Sequence, residues 1–381
     1  MNNLTNHNFS PDSNILAPDV LRLAAKALMD WEGRGHSIIG LCSNSKEYSS
    51  IMTTLELLVK ELLQVPESHS ILFFQGGKVH QFAMVAQAFL NKKAAYLDTG
   101  LSAWEAIQAA SCYGKVQVIA SSRDSAYRYI PDILENCLEA DYLHITSANA
   151  DEGTQIFDFR NLGIPLVCDM SADLFSRVIP IREFDLIYAD AGKNIGLAGM
   201  TLVMIKNVLL DKSAKVLPSA SDYRLPAASN RRSVSPPLFC LYTAMLNMIW
   251  LKQQGSITAI EAASIKKSGM LYKEIDRNPL FEGTAAVAHR SRVDIIFKLK
   301  DKVLEPLFLQ YTNKHGFWGL ERTNGLTGFG VSLSNAVPEQ SVIALVELMR
   351  QFESSQSSLA KDTDKPSEKS LTSNLTQSFD A

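Results

Sequence analysis

Apolar positions along this chain follow two rhythms, and their alternation is the first clue to its architecture. From Pro18 to Trp31 they recur at helical spacing, with Val20, Leu21, Ala24, Ala25 and Leu28 on one side. A longer amphipathic stretch runs from about Ser49 to Leu63. Continuous apolar runs around Val167, Leu186 and Leu202 are instead of strand length and rich in Val, Ile, Leu or Tyr. SILFFQGGKVHQFAMVAQAFL, from Ser70, reads strand, Gly-rich turn, helix, and AAYLDTGLSAWEAI, from Ala94, repeats that order. Strands alternating with helices through the first two-thirds predict an α/β fold. Further on, the pattern predicts an apolar helix from about Pro237 to Leu251, a helical stretch to about Ile275, a strand after Ala288 and a final amphipathic helix from Pro338. Beyond about Ser354 the chain holds Ser, Thr, Lys and Asp with scarcely any apolar residue, which predicts a disordered tail.

The chain's 381 residues exceed one ordinary domain and predict two that share an active site. The expected division is an N-terminal arm over 1–15, a large domain over 16–255, a small C-terminal domain over 256–353 and the tail over 354–381. A hydrophobic content of 46% and a charged content of 20% suit a globular protein with ample core. A formal net charge of -3 gives no electrostatic case for nucleic acid or an anionic membrane. Five scattered cysteines without CxxC spacing predict reduced thiols, neither a disulfide frame nor a metal site. MNNLTNHNFSPDSN lacks the basic and apolar blocks of a signal peptide, and Leu238 to Leu251 is too short to span a bilayer, so a cytoplasmic location is expected.

Candidate chemistry lies between Gly163 and Lys206. Asp169 ends the first of the three apolar runs, and Lys193 follows the second in a Gly-flanked turn. A carboxylate and an amine so placed can reach one pocket from neighbouring strand ends. Pyridoxal phosphate enzymes need that pair: the amine bonds the cofactor's aldehyde, and the carboxylate keeps the pyridine nitrogen protonated. Taken alone, a capping or salt-bridged Asp and a surface Lys are the ordinary reading.

The wording around the pair changes the balance. DMSADLFSR, FDLIYADAGKNIGLAG and MTLVMIK together resemble the cofactor-lysine segment of the phosphoserine aminotransferases, class V of the fold-type I pyridoxal phosphate enzymes. The resemblance covers roughly residues 8–353. It implies a mainly parallel seven-stranded sheet in a large domain, a small C-terminal α/β domain, and a homodimer with shared active sites. It also implies that Gly77, Lys78 and Val79, beside Gly76 and His80 at the start of a helix, hold the cofactor phosphate.

Several aligned positions depart from the family. Ser43 and Asn44 stand where a His-Arg pair is expected to bind a substrate anion, and Asn cannot reproduce the arginine fork. Ser102 replaces the aromatic that stacks on the cofactor ring, and Trp104, two residues on, is either that ring or a core side chain. Ala150 replaces the threonine that touches the ring oxygen, with Ser147 as a stand-in if the loop shifts. Gly192 replaces a phosphate-binding glutamine, while Val234 and Ser235 replace the Asn-Thr that a second subunit contributes, where Arg231 and Arg232 are nearby. Thr323 and Asn324 align with another His-Arg pair and Gly330 with an arginine, leaving Arg322 as the nearby cation. Asp169, Lys193 and the Gly76–Gly77 turn persist.

The resemblance therefore implies transfer of an amino group between glutamate and 3-phosphohydroxypyruvate, for serine biosynthesis, with pyridoxal 5′-phosphate as cofactor. The alternatives are a related enzyme acting on another amino or keto acid, or a member that has lost catalysis and serves as a scaffold.

Overall fold

The computed structural model describes residues 6–11, 15–133, 139–159, 162–212, 216–227, 236–322 and 326–363. Helix α1 (Pro18–Met29) and helix α2 (Lys46–Leu63) precede the central sheet. Ser45 caps α2 by accepting from the Tyr48 amide, so the helix begins three residues before the hydrophobic spacing indicates. The sheet is built from β1 (His69–Gln75), β2 (Lys93–Asp98), β3 (Lys115–Ser121), β4 (Leu143–Thr146), β5 (Leu166–Asp169), β6 (Leu186–Asp190) and β7 (Met200–Lys206).

Those seven strands lie in the order β1-β7-β6-β5-β4-β2-β3. Only β7 runs against its neighbours; the others are parallel, as expected of a mainly parallel sheet. Helix α3 (Lys78–Phe89) follows β1 and helix α4 (Leu101–Ser111) follows β2. Both faces are covered, which is why the central strands read as unbroken apolar runs. Alternate residues serve the two cores: Cys168, Ile187 and Leu202 face α2 and helix α5 (Leu238–Gln253), while Val167, Tyr188 and Val203 face α3 and α4.

Helix α6 (Ile257–Arg277) leads to a three-stranded antiparallel sheet of β8 (Phe281–Gly283), β9 (Asp294–Leu299) and β10 (Phe329–Ser332), with helix α7 (Glu305–Lys314) between β9 and β10. Its core is aromatic, Phe308 lying 5.1 Å from Phe281, 5.0 Å from Phe329 and 5.1 Å from Phe352 between ring centroids. Two elements differ from the sequence reading. His7–Asn8, expected in an irregular arm, pairs with Phe317–Trp318 and sends Phe9 into this aromatic core. Helix α8 (Glu339–Thr363) runs ten residues past the expected start of the tail, continuing where the apolar stripe stops.

His144, on β4, is fully buried, stacks at 4.9 Å on Tyr96 and meets the Tyr188 hydroxyl at 2.8 Å. Its Nδ1 has no partner among the described residues, and burial drives its pKa down to about 3. The unfolded chain, with an ordinary imidazole pKa near 6.5, then binds more protons than the folded one between those values. Stability is therefore present above pH 6.5 and falls as pH drops, by up to about 1.4 kcal/mol per unit. Urea unfolding of His144→Leu should show a shallower loss between pH 6.5 and 4 than the parent, whatever its absolute stability. Equal slopes would remove His144 as the source.

Candidate active site

Pairing of β5 with β6 places Asp169 opposite Tyr188, so both strands end on the same edge of the sheet. Asp169 is 2% exposed. The Ser171 amide and hydroxyl donate to its Oδ1 at 2.9 and 2.6 Å, and among the described residues nothing donates to Oδ2. Burial raises this carboxyl above the usual carboxylate range, opposed by the Lys78 charge and the Ser171 hydrogen bonds. Asp173 pins the loop that follows, accepting from Ser147 Oγ, Gln155 Nε2 (2.9 Å) and Arg177 Nε (2.9 Å) in full burial.

Lys193 lies three residues past the end of β6. Its Nζ reaches Asp294 Oδ1 at 2.7 Å, and Asp294, the first residue of β9, is 2% exposed, its buried Oδ2 having no hydrogen-bond partner among the described residues. The ion pair thus joins the edge of the large sheet to the small one.

Gly76 adopts φ +101°, a backbone that a side chain would strain, and it turns β1 into the N-terminus of α3. The Asp190 side chain sits at that helix end. Its Oδ2 accepts from the Lys78 amide at 3.3 Å and its Oδ1 from the Gly192 amide at 2.8 Å. The Asp190 amide in turn donates to Ser171 Oγ at 3.0 Å, so one hydrogen-bonded chain runs from Asp169 through Ser171 and Asp190 to the start of α3. Lys78 Nζ donates to Ser102 Oγ at 2.5 Å, at the start of α4. Val79 is exposed, which leaves its backbone N–H as the group it offers.

Other expected positions lie elsewhere. Trp104 is not core: at 39% exposure it lines a cavity of about 790 Å³ with Arg123, Arg128, Glu152, Lys298 and Arg322. Glu152 caps α4 through the Leu101 amide at 2.8 Å, and burial pushes its carboxyl up to about 7. Ala150 packs with Ala148, Ala172 and Val293, an apolar contact with no donor. Ser147 is no stand-in, since its hydroxyl is committed to Asp173 and the Asp169 carbonyl. Ser43 and Asn44 are exposed in the turn before α2. The Arg322 stem passes Gly330, where a Cβ would lie in ordinary contact at 3.6 Å from its Cγ, and its guanidinium donates to the Thr327 and Asp151 carbonyls. Val234, Ser235, Arg231, Arg232, Thr323 and Asn324 fall outside the described residues.

Residues 7–313 match the family model described as aminotransferase class-V. A phosphoserine aminotransferase from Bacteroides thetaiotaomicron is 40% identical over 349 residues, covering 91% of this chain and 98% of the relative. The chain belongs to the class-V aminotransferases, among the phosphoserine aminotransferases. In structure it is similar to the phosphoserine aminotransferase from Bacillus circulans subsp. alkalophilus, with a TM-score of 0.89, 32% identity and coverage of 92% and 99%. A pyridoxal phosphate-bound phosphoserine aminotransferase from Trichomonas vaginalis gives a TM-score of 0.86 at 27% identity, covering 91% of this chain and all of that one. Fold-type I architecture, expected from the wording around Lys193, is what this aminotransferase has.

Three residues of the site escaped sequence reasoning. Ser171 reads as a capping hydroxyl, yet it ties Asp169 to Asp190. Asp190 carries a signal, an Asp two residues before a glycine, which suits a side chain folding back on its own turn. Asp294 carries none, because only the tertiary fold brings β9 to Lys193.

Lys193→Ala would strand the buried Asp294 carboxylate. We expect a loss of about 2–3 kcal/mol in urea unfolding, below the range for fully buried pairs because Lys193 keeps some exposure. Adding Asp294→Asn should recover much of it, and a double variant no more stable than the single one would count against the pair.

Proposed function

We propose that this aminotransferase uses pyridoxal 5′-phosphate, held through Lys193, to exchange an amino group between phosphoserine and 2-oxoglutarate in serine biosynthesis. The reading is supported by Asp169 at the end of β5 and Lys193 three residues past the end of the adjacent parallel β6, in a chain 40% identical over 91% of its length to a phosphoserine aminotransferase. The residues fit the cofactor. Asp169 Oδ2 is an open acceptor in a buried setting, suited to a protonated ring nitrogen. The first turn of α3 offers backbone N–H groups and a positive helix end to a phosphate, once Asp190 moves aside.

Bound, the cofactor supplies an aldehyde and an electron-accepting ring that stabilises charge at the substrate's Cα. This chain supplies the rest. Asp169 holds the proton on the ring nitrogen. Lys193 Nζ, released from Asp294, would carry the proton that leaves the substrate Cα. Ser171 and the Asp173 cluster keep the Asp169 loop from moving. Substrate anions fall to Arg322, with Arg128 and Lys298 lining the same cavity, rather than to Ser43, Asn44 or Gly330. Work as a homodimer in the cytoplasm is part of the proposal. It is supported by the resemblance of the segment around Ser235 to one shared between subunits, and by the fact that no described helix is long and apolar enough to cross a membrane.

Purified protein given pyridoxal phosphate should develop the visible absorbance of a lysine-linked cofactor, which phosphoserine then bleaches; Lys193→Ala, confirmed folded, should do neither. A folded parent that stays colourless would sink the enzyme reading. Arg322→Ala should raise KM for phosphoserine about 10- to 100-fold with a smaller change in kcat, as expected for one lost charge-assisted contact. An unchanged KM would release Arg322 from that role.

A further inference from the structure

The helix end that should receive the cofactor's phosphate already holds an anion, and it is the chain's own. Asp190 Oδ2 accepts from the Lys78 amide at 3.3 Å, and a Cβ built on Gly77 would fall 2.5 Å from that same oxygen. Asp190 Oδ1 is held by the Gly192 amide at 2.8 Å, and its backbone by Ser171. The carboxylate therefore lies against the N-terminal turn of a 12-residue helix, where backbone dipoles favour negative charge. Lys78, whose Nζ rests on Ser102, is the cation beside it, and both Lys78 and Asp190 act electrostatically on Asp169.

We propose that Asp190 is a built-in anion in the phosphate seat, so that binding the cofactor requires its side chain to leave. This rests on the cofactor assignment above and adds a consequence of its own. With Asp190 in place the Lys78 amide at this helix end already has an anionic acceptor, and a phosphate dianion has to compete with a tethered carboxylate. The parent protein should accordingly discriminate little between pyridoxal and pyridoxal 5′-phosphate, since the phosphate displaces as favourable a contact as it makes. Removing the carboxylate should open the seat to any tetrahedral oxyanion.

The experiment compares the parent with Asp190→Gly and Asp190→Asn, each checked for folding by circular dichroism. Inorganic phosphate, followed by thermal shift, should stabilise Asp190→Gly at concentrations that leave the parent melting temperature unmoved, with Asp190→Asn between them. Without phosphate, Asp190→Gly should melt lower than the parent. In titrations followed by the lysine-linked absorbance, preference for pyridoxal phosphate over pyridoxal should rise roughly 10- to 100-fold in Asp190→Gly, the size of one charge-assisted contact. Equal phosphate stabilisation of parent and variants, or an equal preference for the phosphorylated aldehyde, would overturn the proposal. If no protein reacts with either aldehyde, the cofactor reading fails, while the phosphate thermal shift still decides the place of Asp190.

Discussion

The parallel pairing of β5 with β6 is the constraint on which the site depends. Parallel neighbours end on the same edge of a sheet, so Asp169 at the end of β5 and the turn that follows β6, which carries Lys193, leave the sheet on the same edge without any long-range contact having to select them. Everything else at the site adjusts this edge. Ser171 bridges the first loop to the second, Asp173 locks the first loop from below, and Asp294 reaches Lys193 from the small sheet. A slip of one residue in the β5–β6 register would turn Asp169 to the opposite face and break each of these at once.

How much of this the sequence conveyed divides along physical lines. The central strands were plain because a sheet covered on both faces demands unbroken apolar runs, and LVCD, LIYAD and MTLVMIK are such runs. The Gly-rich turn before α3 was plain because Gly76 needs a positive φ. Trp104 was not, because helical spacing alone does not say whether a residue at the start of α4 faces the sheet or an open cavity. Arg322 was identified as a nearby cation, but its hold on the Thr327 and Asp151 carbonyls is set by tertiary packing, which spacing along the chain does not convey. Asp294 lay furthest from view. A buried carboxylate implies a partner, and sequence does not say which.

Electrostatic self-sufficiency is the feature that unites the site. Both strand-turn-helix units present a helix N-terminus, and in both the chain fills it with its own carboxylate, Asp190 at α3 and Glu152 at α4. The amine is likewise matched by Asp294. Each pairing removes a charge or dipole that would otherwise be left uncompensated in a largely buried setting, where the cost of a bare charge is highest.

The two carboxylates nonetheless differ in kind. Glu152 is deeply buried, and its carboxyl is raised to about 7, so near neutral pH it alternates between charged and neutral forms while still capping Leu101. Asp190 is the half-buried last residue of β6, next to the turn that carries Gly192 and Lys193, so turning its side chain away exchanges contacts at the strand end and not in the sheet core. A contact that must yield to a ligand is better made by the second arrangement than by the first, because only local hydrogen bonds to Lys78 and Gly192 have to be exchanged. The same holds for Lys193: its partner Asp294 comes from a separate sheet, so opening that pair requires no rearrangement of β5 or β6. On the proposed reading, holding the frame and admitting a cofactor fall to different groups, the Asp169–Ser171–Asp173 cluster serving the first and Asp190 and Asp294 yielding for the second.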